Sequence, residues 1–208
     1  MARKTPPKKI RKKIPISRKT TEVKISGSFL LDGSGKVKVD TGIKFLDHML
    51  DEFAFHGFFD LVIKAEGDLG VDIHHTNEDI GIVLGDAIKK SIGDTKGIRR
   101  FGEATVSMED VLAQVAIDIC GRGSFSSNLP DIKPKKSTYC FEDAEHFLDS
   151  LAKRSGANIK VNIIQPGDKN IHHILEATFK ALGLAMDRAT QIDERRKGTP
   201  STKGIIDL

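Results

Sequence analysis

Six of the seven histidines in this 208-residue chain fall into three pairs separated by one interval. His74, His75 and Glu78 recur 98 positions later as His172, His173 and Glu176, and His48 recurs at the same separation as His146. Leu84, Gly85 and Ala87 keep step as Leu182, Gly183 and Ala185, and Leu50, Asp51 and Ala54 as Leu148, Asp149 and Ala152. A single partly buried histidine would be read as packing. An internal duplication that keeps imidazole and carboxylate together is read as ligands, because residues held only for packing exchange among apolar types and metal donors do not.

The spacing asks for two ions. If each His-His-x-x-Glu run opens a helix, neighbours point about 100° apart, so His74 and His75 serve different metals. His75 and Glu78 then share a face at i, i+3, and so do His173 and Glu176. Eight donors over two ions give three imidazole nitrogens and one carboxylate each. A set without thiolate, with room for water or substrate, suits six-coordinate Mn²⁺ or Fe²⁺, and Zn²⁺ with an open position fits the same donors.

The elements that must carry these residues alternate between periods of two and 3.6. Val23 and Ile25, then Val37 and Val39, around the turn Asp32-Gly33-Ser34-Gly35, predict a hairpin. Helical spacing follows over 45–55, a strand over 60–65 and an amphipathic helix over 77–92. A similar series predicts strands at 104–106 and 111–119, a helix at 144–151, a strand at 159–164 and a helix from 174 to about 190. The fold class is α+β, two duplicated halves whose sheets need helices on one face. The divisions expected are a basic leader (1–20), a first half (21–96), a second half (97–191) and a C-terminal tail (192–208).

Composition narrows the partners. The net charge of +4 is misleading, because 1–20 holds nine basic side chains and no acid, leaving −5 for the remainder. With Pro6, Pro7 and Pro15 this leader reads as a solvated, disordered arm, and nucleic-acid binding is not favoured for an acidic body with one tyrosine and no tryptophan. No apolar run approaches the roughly 18 residues that cross a bilayer, and the N-terminus lacks the apolar stretch of a signal peptide. A cytoplasmic protein without membrane contact is expected, with Cys120 and Cys140 as reduced core residues.

Five runs now stand out: Phe45-Leu-Asp-His-Met-Leu50, His74-His-Thr-Asn-Glu-Asp79, Gly97-Ile-Arg-Arg-Phe-Gly102, His172-His-Ile-Leu-Glu-Ala177 and Pro200-Ser-Thr-Lys-Gly204. In order and spacing the chain from about Lys19 to Leu208 resembles the imidazoleglycerol-phosphate dehydratase family of histidine biosynthesis. The resemblance implies a duplicated half similar to ribosomal protein S5 domain 2, and a homo-oligomeric octahedral shell of 24 subunits with active sites between them. Two Mn²⁺ ions per site are implied, one held by His48, His75, Glu78 and His172, the other by His74, His146, His173 and Glu176. Glu22 and Glu176 are the catalytic carboxylates it implies, with Glu22 as the acid/base group. Arg100, Arg122, Ser201, Thr202 and Lys203 surround the phosphate, and His48, His56, His74, Glu78 and His172 also meet substrate. The chain departs from the family pattern at Ile73 and Ile171, where an acid is frequent, at Gly123, where proline is common, and over 124–141.

The reaction implied is loss of water from imidazole glycerol phosphate to give imidazole acetol phosphate, catalysed by a carbon-oxygen lyase. Its difficulty is a carbon-bound proton with no neighbouring carbonyl to acidify it. Paired metals holding the imidazole as imidazolate would let the ring expel the adjacent hydroxyl through a diazafulvene-like intermediate, while Glu22 moves the proton. Two other readings stay open on the residues alone: a dinuclear hydrolase, and an RNA-binding protein on an S5-like scaffold.

Overall fold

A computed structural model describes residues 11–130 and 139–208. The first ten residues of the expected leader, and Lys133 to Lys136 of the poorly matching segment, lie outside the described residues. The first half contains β1 (Ile14–Lys19), β2 (Val23–Leu30), β3 (Val37–Asp40), α1 (Lys44–His56), β4 (Asp60–Gly67) and α2 (His74–Ile92). The second repeats this order as β5 (Phe101–Met108), β6 (Val111–Ile119), β7 (Ser124–Ser127), α3 (Phe141–Ser155), β8 (Ala157–Pro166) and α4 (Ile171–Thr190). The sheets share one topology, β1-β2-β4-β3 and β5-β6-β8-β7.

Alternation decides the faces. In β4, Leu61, Ile63 and Ala65 turn inward while Val62, Lys64 and Glu66 turn out, and β6 buries Val111, Ala113, Val115, Ile117 and Ile119 in the same way. α2 covers β1 and β2, and α4 covers β5 and β6, so each sheet has one helical face. Among the described residues no helix is long and apolar enough to cross a membrane.

The structure corrects two expectations. β2 and β3 do not form a hairpin: β3 lies on the far side of β4 and runs parallel to it, with α1 as the crossover that parallel neighbours need. The Asp32–Gly35 turn is held by β4, where Asp60 Oδ1 accepts hydrogen bonds from the Ser34 amide at 2.7 Å and the Lys36 amide at 3.1 Å. Nor is all of the leader a disordered arm. Residues 14–19 form an edge strand antiparallel to β2, because Ile16 is buried against the core and Arg18 pairs with Asp79 at 2.8 Å. Pro15 is accommodated because β1 has an open edge. Cys120 is buried as expected, whereas Cys140 caps α3 through Asp143.

The halves join through their helices, α2 on α3 and α4 on α1. The duplicated glycines make this possible. A Cβ at Gly85 would sit 2.8 Å from the Leu151 carbonyl oxygen, and one at Gly183 would sit 2.3 Å from the Phe53 carbonyl oxygen. Phe53 and Leu151 are themselves 98 apart, so the two crossings are copies of each other.

Gly183→Ala gains about 1 kcal/mol of helix propensity. It is nevertheless expected to destabilise the protein by about 1–3 kcal/mol, because a backbone carbonyl cannot swing aside. Gly198→Ala, with open space around it, should leave the denaturant midpoint unchanged. Asp60 supplies a pH test: burial pushes its carboxyl up, and the Ser34 and Lys36 amides pull it further down, to a net position below its ordinary 3.8. Stability from this group is therefore present above the ordinary value and lost as pH falls through the depressed one. Asp60→Asn should lower Tm by a few degrees at pH 6, and the gap should close on acidification through the depressed value.

Candidate functional site

Both double histidines open helices. α2 starts at His74 and α4 at Ile171, three residues before the apolar periodicity begins, and the Asn170 side chain caps α4 by accepting the His172 amide at 3.0 Å. Adjacent rings stand apart, with centroids 6.1 Å from each other and planes at 76° for His74 and His75 and 83° for His172 and His173.

Because α1 packs on α4 and α3 on α2, the first histidine of each pair meets a histidine of the other half. The His48 and His172 rings stack with centroids 5.2 Å apart, and the His74 and His146 rings meet edge to face at 4.8 Å. Glu176 closes the first cluster, its Oε2 lying 3.1 Å from His48 Nε2 and 2.9 Å from His172 Nε2. This partnership runs at i, i+4 within α4, in place of the expected i, i+3 pairing with His173. The second cluster is looser, with Glu78 Oε2 3.9 Å from His74 Nε2 and Glu142 Oε1 3.8 Å from His146 Nε2.

Glu176 is 7% exposed. Burial pushes its carboxyl up, but hydrogen bonds from Lys180 and His48 outweigh burial and hold it below the ordinary carboxylate value. Lys180 Nζ lies 2.7 Å from Glu176 Oε1 and 3.6 Å from Glu52 Oε2, and His56 Nε2 lies 3.2 Å from Glu52. Sequence reasoning missed Lys180 and Glu52. The available signal was their helical phase, one turn after Glu176 and one turn after His48.

The second histidines face carboxylates instead. His75 Nδ1 is 3.1 Å from Asp68 Oδ2 and 3.8 Å from Glu22 Oε2, and the Asp68 hydrogen bond raises the imidazole above its ordinary pKa. His173 Nδ1 is 3.9 Å from Asp168 Oδ1, in a group with Asp110. The chain thus brings together His48 with His172 from one implied quartet and His74 with His146 from the other. His75, Glu78 and His173 stand apart from the rest of their quartets, and Glu176 joins the pair belonging to the other set.

The implied phosphate residues gather elsewhere. The Arg100 guanidinium grips Asp118 at 2.6 and 3.1 Å, donates to the Pro200 carbonyl at 2.9 Å and lies 4.8 Å over the Phe101 ring. Its backbone amide bonds the Ala189 carbonyl, and the tail is tied alongside by the Gly97 amide on Gly198 at 3.1 Å. The Ser201 hydroxyl accepts the Lys203 amide at 3.2 Å, with Thr202 exposed between them. Arg122 follows Gly121, which abuts Asp207 of the tail. Arg100, through its amide on Ala189, sits at the C-terminal end of α4 and His172 at its start, seventeen residues before Ala189, or about 25 Å at 1.5 Å per residue.

The donors suit divalent cations. The first cluster offers two imidazole nitrogens and an ionised carboxylate whose ligand atoms lie within 4.8 Å of one another, and His173 Nδ1 is buried without a hydrogen-bond partner.

The family model described as imidazoleglycerol-phosphate dehydratase matches residues 41–186. A relative of that name from Geobacter sulfurreducens is 49% identical over 195 residues, covering 94% of this chain and 99% of its own. One from Geobacillus thermodenitrificans is 51% identical over 191 residues, covering 92% and 97%. Among solved structures, imidazoleglycerol-phosphate dehydratase from Staphylococcus aureus superposes with a TM-score of 0.77 at 33% identity, over 88% of this chain and all of that one. The Pyrococcus furiosus protein, solved in complex with (S)-C348, gives 0.79 at 34% identity over 92% of this chain and all of that one.

Because Asp118 is the bidentate partner of Arg100, Asp118→Ala should free the tail from the Arg100 loop. Limited trypsinolysis at Arg196 and Lys197 is expected to quicken by roughly tenfold, reporting a more populated open state, with the far-UV spectrum unchanged.

Proposed function

The chain belongs to the imidazoleglycerol-phosphate dehydratase family of hydro-lyases in histidine biosynthesis, and from that premise we propose that it works as a Mn²⁺-dependent oligomer whose active sites are shared between copies. The observation that carries this reading is the separation of about 25 Å along α4 between the imidazole cluster and Arg100, which holds the tail at Pro200. In imidazole glycerol phosphate only three carbons part the ring from the phosphate, so one substrate molecule cannot reach both ends of one chain. The divided quartets ask for the same remedy. His48 and His172 of one copy would be completed by His75 and Glu78 of another, and His74 and His146 by His173 and Glu176. Exposed Phe55, Phe58 and Phe101, each at least 60% accessible, supply apolar surface for a closed octahedral shell of 24 copies.

Two Mn²⁺ ions in those quartets would supply Lewis acidity to the substrate imidazole. The remaining work falls to side chains. Arg100, Arg122, Ser201 and Lys203 bind the phosphate, with guanidinium forks matched to its oxygens, and so fix the carbon chain. Glu22, half exposed at the start of β2, takes the proton from the central carbon while the hydroxyl beside the ring leaves as hydroxide. The resulting enol becomes the ketone when Glu22 returns that proton to the carbon beside the ring and the enol O–H proton passes to the released hydroxide, so that one water is lost. Lys180 and His48 hold Glu176 ionised, and Lys180 links it to Glu52 and His56 in one chain of contacts toward the substrate.

Chelation should lower dehydratase turnover by at least about a thousandfold, with Mn²⁺ restoring it and native mass reporting the assembly. Shared sites are tested by mixing. His48→Ala and Arg100→Ala, each inactive alone, should regain partial activity when dissociated and reassembled together, whereas sites built within one chain would stay dead.

A further inference from the structure

His75 has two carboxylates within reach of Nδ1, and only one is close enough to accept its proton: Asp68 Oδ2 at 3.1 Å, against Glu22 Oε2 at 3.8 Å. Asp68 stands in the loop between β4 and α2, anchored by its amide on the Glu22 carbonyl at 3.2 Å and by its own carbonyl, which accepts the Val71 amide at 2.7 Å. The aspartate therefore has a fixed position from which to orient the ring. The second half repeats the device. Glu22 precedes Val23 at the start of β2 and Asp110 precedes Val111 at the start of β6, while Asp168 occupies the loop between β8 and α4. There the set is looser, with His173 Nδ1 buried and unpartnered 3.9 Å from Asp168.

We propose that Asp68 is a positioning residue for His75: it accepts the Nδ1 proton, so that Nε2 is the nitrogen left to bind the metal, whereas Asp168, in the equivalent loop, stands 3.9 Å from His173 Nδ1 without a hydrogen bond. Fixing one ring nitrogen fixes the tautomer and the aim of the other, and metal-binding histidines commonly depend on such an acceptor. Asp68 has a second consequence. By occupying His75 Nδ1 it leaves Glu22 unbonded to that ring, free to exchange protons with substrate. Without Asp68, Glu22 is the next acceptor, and a carboxylate tied to an imidazole is a poorer base.

This inference rests on the histidines being metal donors, and Mn²⁺ titration of the full-length protein, followed by calorimetry, separates the two ideas. Wild type should bind Mn²⁺. Asp68→Ala should bind it about 10–100-fold more weakly. Asp68→Asn, which keeps an oxygen acceptor, should recover most of that loss, and Glu22→Gln should leave the affinity unchanged. In turnover, Asp68→Ala should also shift the acid limb of the pH profile as Glu22 engages His75. A wild-type protein that binds no Mn²⁺ would overturn the metal reading itself. Wild-type affinity in a folded Asp68→Ala protein would overturn only the role given to Asp68, and so would equal losses in Asp68→Ala and Asp68→Asn. If Asp68→Ala does not fold, the same comparison is made between Asp68→Leu, which has the shape of Asn without its oxygen acceptor, and Asp68→Asn.

Discussion

At Gly183 the backbone of α4 comes so near to α1 that a single methyl group would stand 2.3 Å from a carbonyl oxygen, and Gly85 sets α2 against α3 in the same way. That contact governs the chemistry. His48 stands on α1 and His172 on α4, so their rings stack only while the two helices touch, and His74 and His146 depend likewise on α2 and α3. A glycine two turns or more along each helix from the donors thus sets the distance between imidazoles. Packing at native density allows little slack, and a displacement at the crossing is carried to the ring pair.

The close crossing also buries Glu176, and an isolated carboxylate in that place would cost several kcal/mol. The cost is offset by a relay rather than by one partner. Lys180 binds both Glu176 and Glu52, so one cation serves two carboxylates along the α1–α4 seam, and Glu52 also binds His56. Removing one member would leave the next uncompensated, which explains how a carboxylate that is 7% exposed keeps its pKa below the ordinary value. An ionised oxygen between two imidazoles is also a ready donor set for a divalent cation.

The donors and the crossing glycines were legible in the sequence because both repeat at 98 positions, and a repeat survives without knowledge of the fold. The first three strands of each half were less legible because their repeat has a different interval, while β4 and β8 begin within one residue of 98 apart. Val23 and Val111 begin equivalent strands 88 positions apart, and the difference is inserted between β7 and α3, where residues 128–140 replace the short link 41–43 of the first half. β7 is Ser-Phe-Ser-Ser, with no alternation to announce it, and β1 is hidden among cations that mark a solvated arm in every respect except the two isoleucines it turns inward. The hairpin was misjudged for a related reason. Asp-Gly-Ser-Gly signals a turn, but only Asp60, twenty-eight residues beyond Asp32, decides that the chain leaves β2 instead of returning to it. Lys180 and Glu52 carry no motif and gain meaning only once helical phase and partner are fixed.

Duplication also explains why the chain divides its donors as it does. Each double histidine sends its first ring, His74 or His172, to the helix of the opposite half, and its second, His75 or His173, to a loop aspartate of its own half. Divergence by about 100° between neighbours makes this unavoidable, since two adjacent residues on a helix cannot both face the same crossing. One ring of each pair thereby meets the opposite half of the same chain, and in the proposed assembly the other is left for a second copy. In the assembly proposed above, the fold that brings half of each quartet together is the same fold that keeps the other half out of reach, so metal binding and association are a single requirement of the helix geometry.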